Sequence, residues 1–172
     1  TVACLGVTNN FRLTVDVKTV GVGQQMMEDS KKAERNGPIN GGIAVQHSEI
    51  RYSGQMCRFR SGERFVRAWS QGEVASSSGR SQIVLGLIHG LGDHSGRYDE
   101  MARWFASRGV HVYAFDLLGH GYSPGARMVI PAYETLLQEV EDFFDYIKHM
   151  HPDSTLGLFG QSMGGNLVLN HH

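Results

Sequence analysis

The sequence predicts an α/β fold: a pair of N-terminal strands, then a parallel sheet built in the order β-α-β-α-β-α. Three observations predict it. Ile83–Ile88, Val110–Phe115 and Leu156–Gly160 are short apolar runs without polar alternation, as expected for strands covered on both faces. Two segments with helical apolar spacing separate them. The last run meets a third helical segment through a serine between glycines, Gly160-Gln161-Ser162-Met163-Gly164. Alternating strands and helices imply a parallel sheet with right-handed crossovers.

The elements follow in order. Residues 1–55 read as an N-terminal extension and 56–172 as the body of the fold. Within the extension, Phe11–Val17 alternates like a strand, but Gly21-Val22-Gly23 and the stretch 36–42 break any longer pattern. Met56–Phe59 and Phe65–Trp69 flank Ser61-Gly62-Glu63, a turn that predicts a hairpin. The serine-rich segment 73–81 reads as a loop leading to the first buried strand. Tyr98, Met101, Ala102 and Phe105 recur at i, i+3, i+4 and i+7, a helix closed by Gly109. Tyr133, Leu136, Leu137, Val140, Phe143, Phe144 and Ile147 mark a second helix with its aromatic residues in the core. Pro131 suits its first position, and His151-Pro152 ends it. Gly165–Leu169 reads as the start of the third helix.

Composition narrows the function classes. A chain of 172 residues forms one domain or part of a larger one, and 41% apolar residues suffice for a packed core. The net charge of −1 gives no electrostatic case for nucleic acid or for an anionic membrane. Cys4 and Cys57 are far apart and form neither a metal-binding nor a disulfide framework, which favours a reducing, cytoplasmic compartment. No apolar run approaches the roughly 20 residues of a membrane span.

The glycine-bracketed serine carries the chemical signal. G-x-S-x-G between a strand and a helix forms a sharp turn that lifts the serine hydroxyl clear of the sheet. Gly160 and Gly164 are needed where backbones pass too close for a Cβ. The following helix directs its N-terminal amides toward negative charge developing near Ser162. Two further loops follow strand C-termini, the edge where parallel sheets place their sites. One runs His89-Gly90-Leu91-Gly92-Asp93-His94-Ser95-Gly96-Arg97-Tyr98, the other from Asp116 to Arg127. His89 and His120 read as hydrogen-bonding residues of tight loops, Asp116 as a turn-stabilising carboxylate, and Arg97 and Arg127 as loop pins. Asp93 and His94 lack the second ligand cluster that a metal needs.

Three motifs in register, H-G-x-G-x-H-S-G-R-Y, G-H-G-x-S-x-G-x-R and G-x-S-M-G-G, resemble the monoacylglycerol lipase and lysophospholipase group of α/β-hydrolases, over roughly residues 57–172. The resemblance implies an α/β-hydrolase fold, a cap over the site, and hydrolysis of a small acyl ester or lipid. It implies no cofactor or metal and no specific protein partner. Membrane contact, where it occurs, is peripheral and made through the cap. Ser162 matches the nucleophile, while Leu91 and Met163 match the two oxyanion-hole positions through their backbone amides. Gly90 matches the glycine of the oxyanion loop. Gln161 stands where these lipases often carry histidine.

In this fold the acidic residue and the histidine of the triad follow the serine. Only ten residues follow Ser162, and none is acidic. His171 and His172 lie roughly 13–15 Å along the helix at ~1.5 Å per residue, too far to act as its base. The expectation is therefore the N-terminal part of a serine carboxylester hydrolase, truncated after the elbow and inactive by itself; were the 172 residues the whole product, Leu156–Phe159 would be a bare apolar edge. The rival readings are a non-catalytic relic or interaction protein, and a thioesterase, acyltransferase or peptidase on the same fold.

Overall fold

The three apolar runs lie side by side at the centre of one sheet. A computed structural model of the protein describes residues 6–7, 49–72, 82–130 and 132–171. The expected strand at 11–17, the glycine-rich breaks, the loop at 73–81, Cys4, Pro131 and His172 lie outside them. The strands are β1 (Gly6–Val7), β2 (Ile50–Phe59), β3 (Gly62–Gln71), β4 (Ile83–Ile88), β5 (His111–Phe115) and β6 (Thr155–Gly160). The helices are α1 (Asp99–Ala106), α2 (Tyr133–Met150) and α3 (Met163–Asn170), with a 3₁₀ turn at Ser95–Tyr98. Spatial order is β1-β6-β4-β5-β3-β2. The central β6-β4-β5 pairs are parallel, and β3, β2 and β1 join antiparallel.

Both faces of the centre are covered, which is why its strands show no alternation. Leu85 and Leu87 of β4 turn toward α1, where they pack with Ala102, Ala106, Val112, Ala114 and Trp69. Val84 and Ile88 turn the other way, onto Phe143, Val140 and Ile147 of α2 and Leu167 of α3. Gly86 shares that second face. A Cβ there would lie 3.0 Å from the Phe143 ring and 3.1 Å from Ile147, so the missing side chain lets α2 settle on the sheet.

The hairpin departs from expectation at both ends. Strand β2 begins at Ile50, six residues early, so the expected boundary between 55 and 56 falls inside a strand. Its residues 51–56 are exposed, and an edge strand open to solvent carries no apolar pattern to read. The turn is Arg60-Ser61, with Phe59 opposite Gly62. Asp142 of α2 fixes it there, accepting from the Ser61 amide at 2.7 Å and from Arg60 Nε at 2.8 Å.

Three further corrections follow. Helix α2 starts at Tyr133 after an extended Ala132, so the first helical position belongs to Tyr133 and not to residue 131. Tyr133 is also exposed and outside the core, its hydroxyl donating to Asn166 Oδ1 of α3 at 2.6 Å. Finally, the outer edge of β6 is not bare throughout. Gly6 and Val7 pair with Leu158 and Gly157, so part of the N-terminal extension belongs to the sheet.

Candidate active site

Ser162 stands between the end of β6 and the first residue of α3, exposed, with φ +52° and ψ −117°. Left-handed φ in a residue with a Cβ is uncommon and costs on the order of 1–3 kcal/mol, so the surroundings must impose it. They do so through crowding. A Cβ on Gly160 would collide with the backbone of Gly164 and Gly165, and one on Gly164 would collide with the Ile88 and His89 carbonyls. The Gln161 amide donates to Ile88 O at 3.1 Å, and Gly164 N closes the turn onto Gln161 O at 2.9 Å. The elbow is thus pressed against the C-terminal end of β4, and Ser162 is the residue that projects outward.

The loop leaving β4 supplies the facing wall. Gly90 lies directly beside the serine: a Cβ there would sit 3.2 Å from Ser162 Cβ and 3.8 Å from its Oγ. Leu91 follows with its side chain half exposed. Met163 opens α3, where its amide has no partner within the helix. Ser162, Gly90, Gly160 and Gly164 therefore meet at one sheet edge, with Leu91 and Met163 one residue along from Gly90 and Ser162.

The other polar residues of the loops hold the frame. Asp116 is fully buried and accepts from Ser95 N at 2.7 Å, Ser95 Oγ at 2.6 Å and Tyr122 N at 2.8 Å. It is the turn-stabilising carboxylate that the sequence suggests. His89 is buried, and its Nε2 accepts from Leu117 N at 3.0 Å. Its other nitrogen, Nδ1, lies 2.7 Å from Gly90 O. Burial holds its pKa below the ordinary value. His120 bonds Leu118 O through Nδ1, and Arg127 pins Gly121 O at 2.9 Å. His94 caps the 3₁₀ turn through Gly96 N at 3.2 Å, while Arg97 pairs with Asp93 at 3.4 Å. His171 lies at the far end of α3, its Nδ1 2.9 Å from Glu141. Among the described residues, no imidazole bonds the Ser162 hydroxyl.

Two partnerships were not legible in the sequence. Tyr98 donates to Gln161 Oε1 at 2.6 Å, joining the loop after β4 to the elbow. Arg64 and Glu139 form a buried ion pair in which Nε donates to Oε2 at 3.0 Å and Nη2 lies 3.0 Å from Oε1. Glu139 Oε2 also accepts from Leu118 N at 3.0 Å. A charged residue inside an apolar helix face hints at such a pair, but the sequence alone does not name its partner.

The model of the family described as serine aminopeptidase, S33, matches residues 79–172, more than half of the chain. The chain belongs to this family. Mouse monoglyceride lipase is 37% identical over 105 residues, which cover 61% of this chain and 33% of the lipase. A soluble variant of Saccharomyces cerevisiae monoglyceride lipase, solved with a substrate analog, superposes with a TM-score of 0.56 over 77% of this chain and 40% of that one, at 19% identity. The thioesterase domain from the curacin biosynthetic pathway superposes with a TM-score of 0.52 at 28% identity, over 68% of this chain and 39% of that domain. The protein is a monoglyceride-lipase-like α/β-hydrolase, and its matched part spans about a third of the length of the curated relatives.

Proposed function

We propose that this chain carries the nucleophile and the oxyanion hole of a serine carboxylester hydrolase acting on monoacylglycerol-like acyl esters. The observation that carries the reading is Ser162, exposed at φ +52° between β6 and α3 with Gly90 beside it. In this mechanism Ser162 Oγ attacks the ester carbonyl carbon and gives its proton to a histidine base. The tetrahedral oxyanion rests on the Leu91 and Met163 amides, worth about 10²–10³ in rate per donor. The alcohol leaves with the base's proton, and water then hydrolyses the acyl-enzyme. His89 is held between Gly90 O and Leu117 N, His120 bonds Leu118 O through Nδ1, and His171 lies beside Glu141 at the far end of α3, so none of the three bonds Ser162. In this reading the histidine base comes from outside the described residues, among which no imidazole bonds the Ser162 hydroxyl. Neither a metal nor a cofactor has a role in this scheme.

The full-length protein, offered monoacylglycerols, acyl-CoA and aminoacyl substrates side by side, should turn over the monoacylglycerols fastest, and Ser162→Ala should abolish that turnover. Preferential acyl-CoA hydrolysis would instead support a thioesterase, the second reading, which the curacin domain's 28% identity favours. Turnover that persists in Ser162→Ala would overturn both.

A further inference from the structure

We propose that His89 is a positioning residue whose imidazole, as the Nδ1–H tautomer, sets the direction of the Leu91 amide in the oxyanion hole. The inference rests on the hydrolase reading and adds to it a specific role for a buried side chain.

The argument begins with the protons. The Leu117 N–H is a donor, so His89 Nε2, 3.0 Å away, must accept from it. A neutral imidazole has one acceptor nitrogen and one donor nitrogen. The proton is therefore on Nδ1, where it meets the Gly90 carbonyl at 2.7 Å. The ring is 1% exposed, so water does not compete for either nitrogen.

A trans peptide is planar, and its C=O and N–H point in opposite directions. Holding Gly90 O toward His89 thus holds the Leu91 N–H away from it. The constraint matters because Leu91 stands between two glycines. Position 90 is crowded, since a Cβ there would lie 3.2 Å from both Ser162 Cβ and Gln161 O. Glycine, however, lets the following peptide rotate over a wide range. The second bond to Gly90 O, from Asp93 N, is longer at 3.3 Å. His89 therefore supplies the main restraint that the loop loses by carrying glycine beside the nucleophile. Its far side is itself anchored: the next amide, Leu118 N, is held by Glu139, and Glu139 by Arg64.

Two substitutions separate the bonds in the full-length protein. In His89→Asn the side-chain N–H takes the place of Nδ1–H and keeps the bond to Gly90. In His89→Gln the carbonyl takes the place of Nε2 and keeps only the bond to Leu117. With a p-nitrophenyl ester, His89→Gln should lower kcat about 100-fold, the size of one lost oxyanion donor, with KM little changed. His89→Asn should retain most of kcat. Equal losses in the two variants, or no loss in His89→Gln, would overturn the inference. Imidazole ¹⁵N shifts of the unmutated protein give a readout that needs neither activity nor a folded variant. A protonated Nδ1 is expected at His89, and a protonated Nε2 would overturn the inference. Failure of the hydrolase reading shows separately, as an unmutated protein that forms no acyl-enzyme at Ser162.

Discussion

At Ser162 the chain holds a backbone angle that glycine would adopt freely, and in the proposed function the hydroxyl is the reason for a serine there. Ser162→Gly should therefore raise stability by about 1 kcal/mol, the lower end of the strain at such an angle, while removing all esterase activity. Ser162→Ala should remove the activity without the gain, because its Cβ keeps the strain. Urea unfolding of the two variants checks the difference. Gly160→Ala carries the opposite expectation. Its Cβ would fall on the Gly164 backbone, so the elbow must open, at a cost of roughly 3 kcal/mol read from the same titration. The serine and both elbow glycines were legible in the sequence, because crowding between a strand and a helix leaves a fixed spacing of residue types. Gly90 was legible as part of a motif, whereas its nearness to Ser162 depends on how β4 and β6 pair.

Among the elements, what the sequence disclosed depended on what each one buries. Strands β4, β5 and β6 and helices α1 and α2 bury a continuous face, and their apolar spacing announced them to within a few residues. The first half of β2 is exposed, and nothing in Tyr52-Ser53-Gly54-Gln55 distinguishes it from a loop. Gly6–Val7 is too short to show any period, so its place beside β6 rests on pairing alone. The polar ties between elements were equally hidden. The Arg64–Glu139 pair fastens β3 to α2 and, through Leu118 N, to the loop after β5. Removing one partner leaves a buried charge alone. Glu139→Ala should accordingly destabilise the protein by about 3–5 kcal/mol in a urea titration. Replacing both partners together, as Arg64→Met with Glu139→Leu, should cost much less.

For the whole molecule, pH links these packing choices to stability. Burial lowers the pKa of His89, His111 and His151 below the ordinary 6.5, the neighbouring His111 charge adding to the effect at His151. Each of these rings binds a proton more readily when the chain is unfolded. Stability is then complete above pH 6.5 and falls as the pH drops from there through the lowered values. Asp142 adds a second phase. Burial pushes its carboxyl upward, but bonds from Ser61, Arg60 and Gln138 outweigh that and hold it below 3.8. Its contribution is present above pH 3.8 and disappears under stronger acid. Melting temperatures between pH 8 and pH 3 should fall in these two stages. A profile flat from pH 8 to 5 would contradict the buried neutral histidines. The most direct test of the account is mass spectrometry of the full-length protein after reaction with a fluorophosphonate. The account predicts a single phosphonyl adduct on the peptide carrying Ser162, absent from Ser162→Ala. An unmodified Ser162, or an adduct on another serine, would contradict it.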